Sequence, residues 1–104
     1  MSHCLVYVVC ANLRESEKIG ALMVEEGFAA CANILPEITS IFIWSGTTKS
    51  ETESLLLLKT KNKLFQELTR RVMEVHSYDV PAIIKIPVEI GNKSFENFID
   101  KNTI

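Results

Sequence analysis

The sequence lacks an excess of positive charge and a cysteine pairing pattern, and each absence excludes a class of protein. Among its 104 residues, 11 are Lys or Arg and 13 are Asp or Glu, which gives a net charge of -2. Without a basic stripe that neutralises phosphates, we expect no nucleic-acid partner. The three cysteines are odd in number and match no paired zinc or redox motif, so we expect no disulfide framework.

The signals for membrane insertion and secretion are also absent. The longest apolar runs, such as SLLLLK, fall far below the ~20 residues that span a bilayer. The opening segment, MSHCLVYVVCAN, shows neither the basic start nor the cleavage site of a secretory leader. We therefore expect a cytoplasmic protein that does not contact a membrane.

What the chain does have is the composition of a packed globular domain. Apolar residues make up 47% of the sequence and charged residues 23%, an ordinary balance for a folded core. The length suits a single domain over residues 1–104, and no repeat or linker divides it. An isolated domain of this size buries only roughly 65% of the surface that its unfolded chain exposes, so a partner chain would stabilise it.

Hydrophobic periodicity predicts six main elements and a helical tail. Runs of β-branched and aromatic residues are typical of strands, and apolar residues at three- and four-residue spacing are typical of helices. The predicted elements are strands at 5–10, 28–44, 51–61 and 82–90, helices at 13–26 and 62–76, and a short final helix containing Phe95, Phe98 and Ile99. The order β, α, β, β, α, β suits an α+β, ferredoxin-like fold, in which both main helices cover one face of an antiparallel sheet.

Individual residues mark the ends of these elements. Asn12, with Glu15 three positions later, predicts a capped start for the first helix. Pro36 predicts a bend or bulge in the second strand, and Asn62 predicts a cap for the second helix. The segment 45–50, SGTTKS, predicts the turn that joins the second and third strands into a hairpin.

This hairpin is unusually long. Arms of about a dozen residues would extend ~40 Å, well beyond a typical strand. They carry adjacent apolar residues, Ile41, Phe42, Ile43 and Trp44, which would favour aggregation unless another chain covers them. We therefore predict a closed oligomer, because a cyclic arrangement leaves no strand edge unpaired.

Several motifs occur in one order along nearly the whole chain. They are CANILPEITSIFIWSG, ESLLLLKT, VHSYDVP and IPVEIGN. Together they resemble the CutA family, which is named for divalent-cation tolerance. The resemblance implies a tight homotrimer, similar in architecture to the P-II signalling proteins. It also implies a role in tolerance of, or response to, divalent metal ions such as copper, with weak metal binding and no organic cofactor.

The same resemblance implies a metal site at Cys10 and His76. A thiolate and an imidazole suit copper or another divalent ion, since both release a proton easily near neutral pH. A third ligand would come from a neighbouring subunit, from solvent or from Asp79. The alternative is that Cys10 is a packed core residue and that His76 only ends a helix, where the helix dipole favours its protonated form.

The remaining amphipathic or polar motif residues are Trp44, Glu53, Lys59 and Tyr78. In a trimer they would meet in an intersubunit cleft, where an aromatic face, a carboxylate and an amine orient a small ligand. Alternatively, Glu53 and Lys59 fix the strand register and Trp44 seals the hairpin interface. The chain departs from the family pattern at Ala82, where the family usually has Glu.

No motif indicates catalysis. The sequence has no Gly-rich phosphate loop, no nucleophile elbow and no metalloprotease spacing. A dyad of Cys10 and His76 would form a nucleophile and its base only within ~3 Å, and we expect no enzymatic activity. Two functions stay open: a divalent metal response, and a P-II-like signalling or scaffold trimer that binds a small ligand or a protein in its clefts.

Overall fold

Four strands and three helices build the fold, which the computed structural model describes over residues 2–104. The elements are β1 (His3–Cys10), α1 (Leu13–Glu25), β2 (Cys31–Trp44), β3 (Thr47–Lys61), α2 (Phe65–Val75), β4 (Ile83–Val88) and α3 (Lys93–Lys101), with a 3-10 turn at Asn62–Leu64 before α2. The strands form one antiparallel sheet in the order β2-β3-β1-β4. This topology confirms the predicted ferredoxin-like α+β fold.

Helices α1 and α2 pack on one face of the sheet and form the core with it. Because strand side chains alternate between the two faces, every second residue of β1 and β3 reaches this core. The fully buried apolar residues include Val6, Val8, Leu56 and Leu58 of the strands and Ile19, Met23, Leu68 and Val72 of the helices. Burying each such side chain contributes about 1.5–3 kcal/mol.

The opposite face of the sheet is also apolar, but it is largely open in the single chain. Tyr7 of β1 pairs with Leu57 of β3 and with Ile84 of β4, so these side chains share a face. Ile84 is 50% exposed and Leu35 is 45% exposed. An exposed apolar surface of this kind is typical of a protein interface.

The hairpin of β2 and β3 continues far beyond the sheet. Strand β1 pairs with β3 only as far as Cys10 and Ser54, whereas β2 stays paired with β3 up to the tip. We call the two-stranded part, residues 38–53, the ribbon. Its apolar residues are open to solvent, with Ile41 72% and Ile43 71% exposed. A two-stranded structure alone is only marginally stable in water.

The predicted turn at 45–50 is wrong in its extent. Only Ser45 and Gly46 form the turn, and β3 begins at Thr47 instead of at residue 51. Both turn residues have positive φ, 51° and 77°. Two successive residues with positive φ form a turn whose twist matches that of the flanking strands, so the arms stay paired to the tip.

The predictions at Asn12 and Pro36 are confirmed, and the prediction at Asn62 is wrong. The Asn12 side chain accepts a hydrogen bond from the Glu15 N–H at 2.9 Å. The register of β2 against β3 shifts around Pro36, as expected for a bulge. The Asn62 N–H donates to the Ser2 carbonyl at 2.9 Å, which keeps Asn62 at the end of the sheet, one 3-10 turn before α2 begins.

Candidate metal centre and adjoining cleft

Cys10, Glu15 and His76 bring three potential ligand atoms together at one end of β1. The thiol sulfur, a carboxylate oxygen and an imidazole nitrogen all lie within 4.8 Å of one another. Cys10 ends β1, Glu15 lies in the first turn of α1, and His76 follows the last residue of α2. The two sequence-predicted metal residues therefore meet, and the third potential ligand beside them is Glu15, which was not among the expected sources: a neighbouring subunit, solvent or Asp79.

The backbone fixes both nitrogens of the His76 ring, whose side chain has 0% exposure. The Nε2 atom lies 2.8 Å from the Val9 carbonyl oxygen, to which it donates, and Nδ1 accepts from the Tyr78 N–H at 3.0 Å. These partners assign the neutral tautomer with the proton on Nε2. The Nδ1 lone pair, 3.9 Å from Glu15 Oε1, is the one available to a metal ion once the Tyr78 N–H moves away.

Glu15 supplies the negative charge of this group. Its Oε1 accepts from the Ala11 N–H at 2.9 Å and its Oε2 from the Ser77 N–H at 2.8 Å. Burial alone would raise the pKa of this carboxyl, but the hydrogen bonds from Ala11 and Ser77 hold the pKa below its ordinary value. Glu15 is therefore ionised at neutral pH.

Cys10 is a buried thiol and not a thiolate. It has no exposed surface, and burial raises its pKa to about 11, with the charges of Glu15 and Glu53 adding to the effect and Ser16 opposing it. A metal ion would have to displace this proton, because the thiolate is the ligand. The donor set fits a soft or borderline divalent cation. Binding is opposed by the need to remove the Cys10 proton and to break the hydrogen bond from the Tyr78 N–H to His76 Nδ1.

An open cleft of about 860 Å³ lies beside this group. Trp44, Glu53 and Tyr78 all line it, and so does Ala82 at the departure from the family pattern. The Tyr78 hydroxyl donates to Glu53 Oε2 at 2.6 Å. Burial and the bond to Glu53 raise the pKa of the Tyr78 phenol far above its ordinary value, so it keeps its proton and remains a donor.

Lys59 does not join the other predicted cleft residues within one chain. Its Nζ lies 5.4 Å from the centroid of the Phe95 ring, in the half of β3 that pairs with β1. The structure thus brings together Trp44, Glu53 and Tyr78 and places Lys59 elsewhere. An intersubunit role for Lys59 stays a prediction.

Replacing Tyr78 with Phe should lower the free energy of unfolding by about 1–3 kcal/mol, because it leaves a buried carboxylate oxygen without its donor. Glu53 is only 9% exposed, so water replaces the lost phenol poorly. Urea unfolding at a fixed chain concentration measures the change. Tyr7→Phe is the matched control, since the Tyr7 hydroxyl makes no hydrogen bond within residues 2–104. Equal losses in both variants would show that the bond to Glu53 contributes nothing.

Together these features define a class: a small ferredoxin-like α+β protein with a candidate divalent-cation centre and an adjoining ligand-sized cleft. The sequence profile described as CutA1 divalent ion tolerance protein matches residues 4–102. The chain belongs to this family, which confirms the resemblance seen in its motifs.

Relatives of this chain come from several kingdoms. The divalent-cation tolerance protein CutA of Archaeoglobus fulgidus is 38% identical over 99 residues, which cover 95% of this chain and 96% of that protein. Protein CutA of Mus musculus is 37% identical over 97 residues, which cover 93% of this chain and 55% of that protein. The chain spans about half the length of the mouse, Arabidopsis thaliana and Oryza sativa relatives.

Solved structures of the family superpose closely on this fold. CutA1 from Oryza sativa has a TM-score of 0.97 at 33% identity, covering 100% of this chain and 95% of that one. The periplasmic divalent cation tolerance protein CutA from Archaeoglobus fulgidus has a TM-score of 0.93 at 37% identity, covering 96% of this chain and 97% of that one. Within residues 2–104, no helix has the length and apolar character needed to cross a bilayer.

Proposed function

We propose that this chain forms a cytoplasmic, non-catalytic homotrimer that takes part in the response to divalent metal ions and binds such an ion weakly at Cys10, Glu15 and His76. The convergence of a thiol, a carboxylate and an imidazole within 4.8 Å carries this proposal. Copper and zinc suit this mixture of soft and borderline ligands. The names of relatives that refer to divalent-cation tolerance support the proposal.

Each of the three side chains has a distinct task in this proposal. Glu15 is already ionised and held by two backbone donors, so it draws a cation into the group. His76 offers Nδ1 after the Tyr78 N–H moves aside, while its bond to the Val9 carbonyl keeps the ring oriented. Cys10 adds its sulfur only after losing its proton. A neighbouring subunit or water would supply any further ligand.

The proposed trimer is supported by the surfaces that the single chain leaves open. These surfaces are the uncovered apolar face of the sheet and the side of the ribbon that carries Ile41 and Ile43. Burying such surface drives association. Closed cyclic association also pairs or covers strand edges that would otherwise recruit further chains.

Titration with Zn²⁺ and Cu²⁺ by calorimetry should show binding that Cys10→Ser and His76→Ala each weaken at least about 100-fold, because loss of a supporting group alone costs 10–100-fold. The matched control is Cys4→Ser. Cys4 is also buried on the core face of β1, but it is not one of the three potential ligands. Unchanged affinity in both test variants would contradict the metal site.

The same titration should give a tighter complex as the pH rises. Burial raises the thiol pKa to about 11, so below that pH the free protein holds a proton on Cys10 that the complex lacks. Loss of one proton on binding makes the apparent affinity rise about tenfold per pH unit. Cys10→Ser should abolish this slope between pH 6 and 8, the range over which a buffer series measures it. A flat profile in the unaltered chain would mean that Cys10 is not a ligand.

The cleft favours a second function. Its volume of about 860 Å³ lies within the range of small-molecule sites, and the side of the ribbon that carries Phe42 and Trp44 lines it. A P-II-like signalling or scaffold trimer would bind a small ligand or dock a protein there. Thermal-shift screening against small metabolites tests this function, because a ligand that binds the folded form raises its apparent stability.

A further inference from the structure

We propose that the cleft binds a small organic cation, an ammonium group carried on a flat apolar body, and not an anion. This inference rests on the second function proposed above, because it names the ligand class of the same cleft. Three features of the cleft favour such a ligand: the acceptor at its base, its aromatic walls and its balance of charge.

The acceptor is Glu53. Its side chain is on β3 and only 9% of the residue is exposed, yet it lines the cleft. Tyr78 donates to Oε2, and no hydrogen bond reaches Oε1 from any residue in the described part of the chain. Tyr78 therefore holds the carboxylate in place and leaves one oxygen for a ligand. An ammonium group is a pure donor with a positive charge, and it makes a charge-assisted bond to such an oxygen.

Aromatic side chains form the wall next to this acceptor. Phe42 and Trp44 are two residues apart on β2, so they stand on the same side of the ribbon. Both line the cleft, and they are 37% and 59% exposed. The face of an aromatic ring attracts a cation, and tryptophan attracts it most strongly. The wall therefore favours a flat apolar body with a cationic group.

The charge balance of the cleft opposes an anionic ligand. Within one chain, three carboxylates line it, those of Glu51, Glu53 and Asp79, against one amine, that of Lys49. No arginine is present among the lining residues. A phosphate or carboxylate would meet repulsion from most of the charged groups, whereas a cation is attracted by them. Lys49 pairs with Phe42 across the ribbon, closer to its tip than Glu53.

Three probes with one shape and different charge test the inference: 2-phenylethylamine, the neutral 2-phenylethanol and the anion 3-phenylpropanoate. Calorimetry on the assembled chain of residues 1–104 gives the affinities, and Trp44, the single tryptophan in this sequence, reports cleft occupancy by fluorescence. We expect the amine to bind at least about tenfold more tightly than the alcohol, and the anion to bind least, because the charge-assisted bond and the cation–π contact need the ammonium group.

Two variants locate the site. Glu53→Gln keeps an acceptor for Tyr78 but removes the charge, and Trp44→Leu removes the ring at an exposed position where folding should tolerate it. Each should weaken amine binding about tenfold. Glu89→Gln is the control, because Glu89 is an exposed carboxylate outside the cleft.

The possible results separate the two claims. Amine binding that neither Glu53→Gln nor Trp44→Leu weakens would overturn the inference. If the anion or the alcohol binds best and changes Trp44 fluorescence, the cleft is a ligand site but the inferred ligand class is wrong. If no probe of any charge binds, the inference and the small-ligand form of the second function both fail.

Discussion

A chain carrying Ile41→Lys and Ile43→Lys should sediment as a single-chain species at micromolar concentration, whereas the unaltered chain should sediment as a trimer. The two isoleucines lie on one side of the ribbon and are 72% and 71% exposed in the single chain. Covering each of them would contribute about 1.5–3 kcal/mol per chain. Lysine removes that contribution and places unpaired charges in the interface, so the assembly should weaken by several orders of magnitude.

Sedimentation velocity with the Met73→Lys variant controls for a general effect of added charge. Met73 is 47% exposed on α2, away from the ribbon, so this variant should assemble normally. A native chain that is monomeric at micromolar concentration would disprove the proposed trimer. A double variant that remains trimeric would show that the ribbon does not hold the subunits together.

Leu56→Ala should lower the free energy of unfolding by about 2–5 kcal/mol, because it removes buried atoms and leaves a cavity that the core only partly fills. Leu56 has no exposed surface and pairs with Val8 and Ile34 on the two neighbouring strands. A side-chain carbon added at Gly20 of α1 would lie 3.1 Å from a Leu56 methyl carbon, so helix and strand already pack tightly there. The surrounding backbone has little freedom to collapse into the gap.

The matched control for this change is Leu13→Ala, which removes the same atoms from a side chain that is 40% exposed at the start of α1. Leu13→Ala should lower the free energy of unfolding much less than Leu56→Ala does. Chemical denaturation at one fixed chain concentration measures both variants, because the stability of an oligomer depends on concentration. Similar losses in the two variants would mean that Leu56 is not the central core residue that its burial indicates.

The order of elements could be predicted from the sequence because most elements depend on local patterns. The apolar run ending at Cys10 marks β1, and Asn12 caps α1 through the Glu15 N–H as its spacing predicts. The extent of the turn could not be predicted, because the sequence SGTTKS is rich in turn-forming residues over its whole length. Pairing with β2 draws Thr47 and the residues after it into β3, and this pairing is a long-range effect that composition does not reveal.

The candidate site was only partly predictable. Cys10 and His76 were named from the resemblance to the family, but Glu15 was interpreted only as a capping residue. A signal was present: Glu15 lies in the first turn after a strand that ends at Cys10, so its side chain begins at the same end of the sheet. How close the Glu15 side chain comes to His76 depends on where α2 ends. The Ser77 N–H, one residue after His76, donates to Glu15 Oε2 and holds the side chain there. Only the assembled fold brings these segments together.

The contacts between the predicted cleft residues could not be predicted from the sequence either. Glu53 and Tyr78 are 25 positions apart and form a hydrogen bond. Lys59, which was expected to join them in an intersubunit cleft, lies nearer the opposite end of β3 because each strand residue advances the chain by about 3.3 Å. Residues that were grouped by their motifs therefore do not all meet within the single chain.

The burial of Cys10 also affects its chemistry with oxidants. Peroxides and disulfides react with the thiolate, and a thiol with a pKa of about 11 is almost wholly protonated near neutral pH. With no surface open to solvent, its sulfur is also shielded from reagents. Oxidative damage should therefore reach this sulfur slowly, and the group should keep its softest ligand in the reduced state.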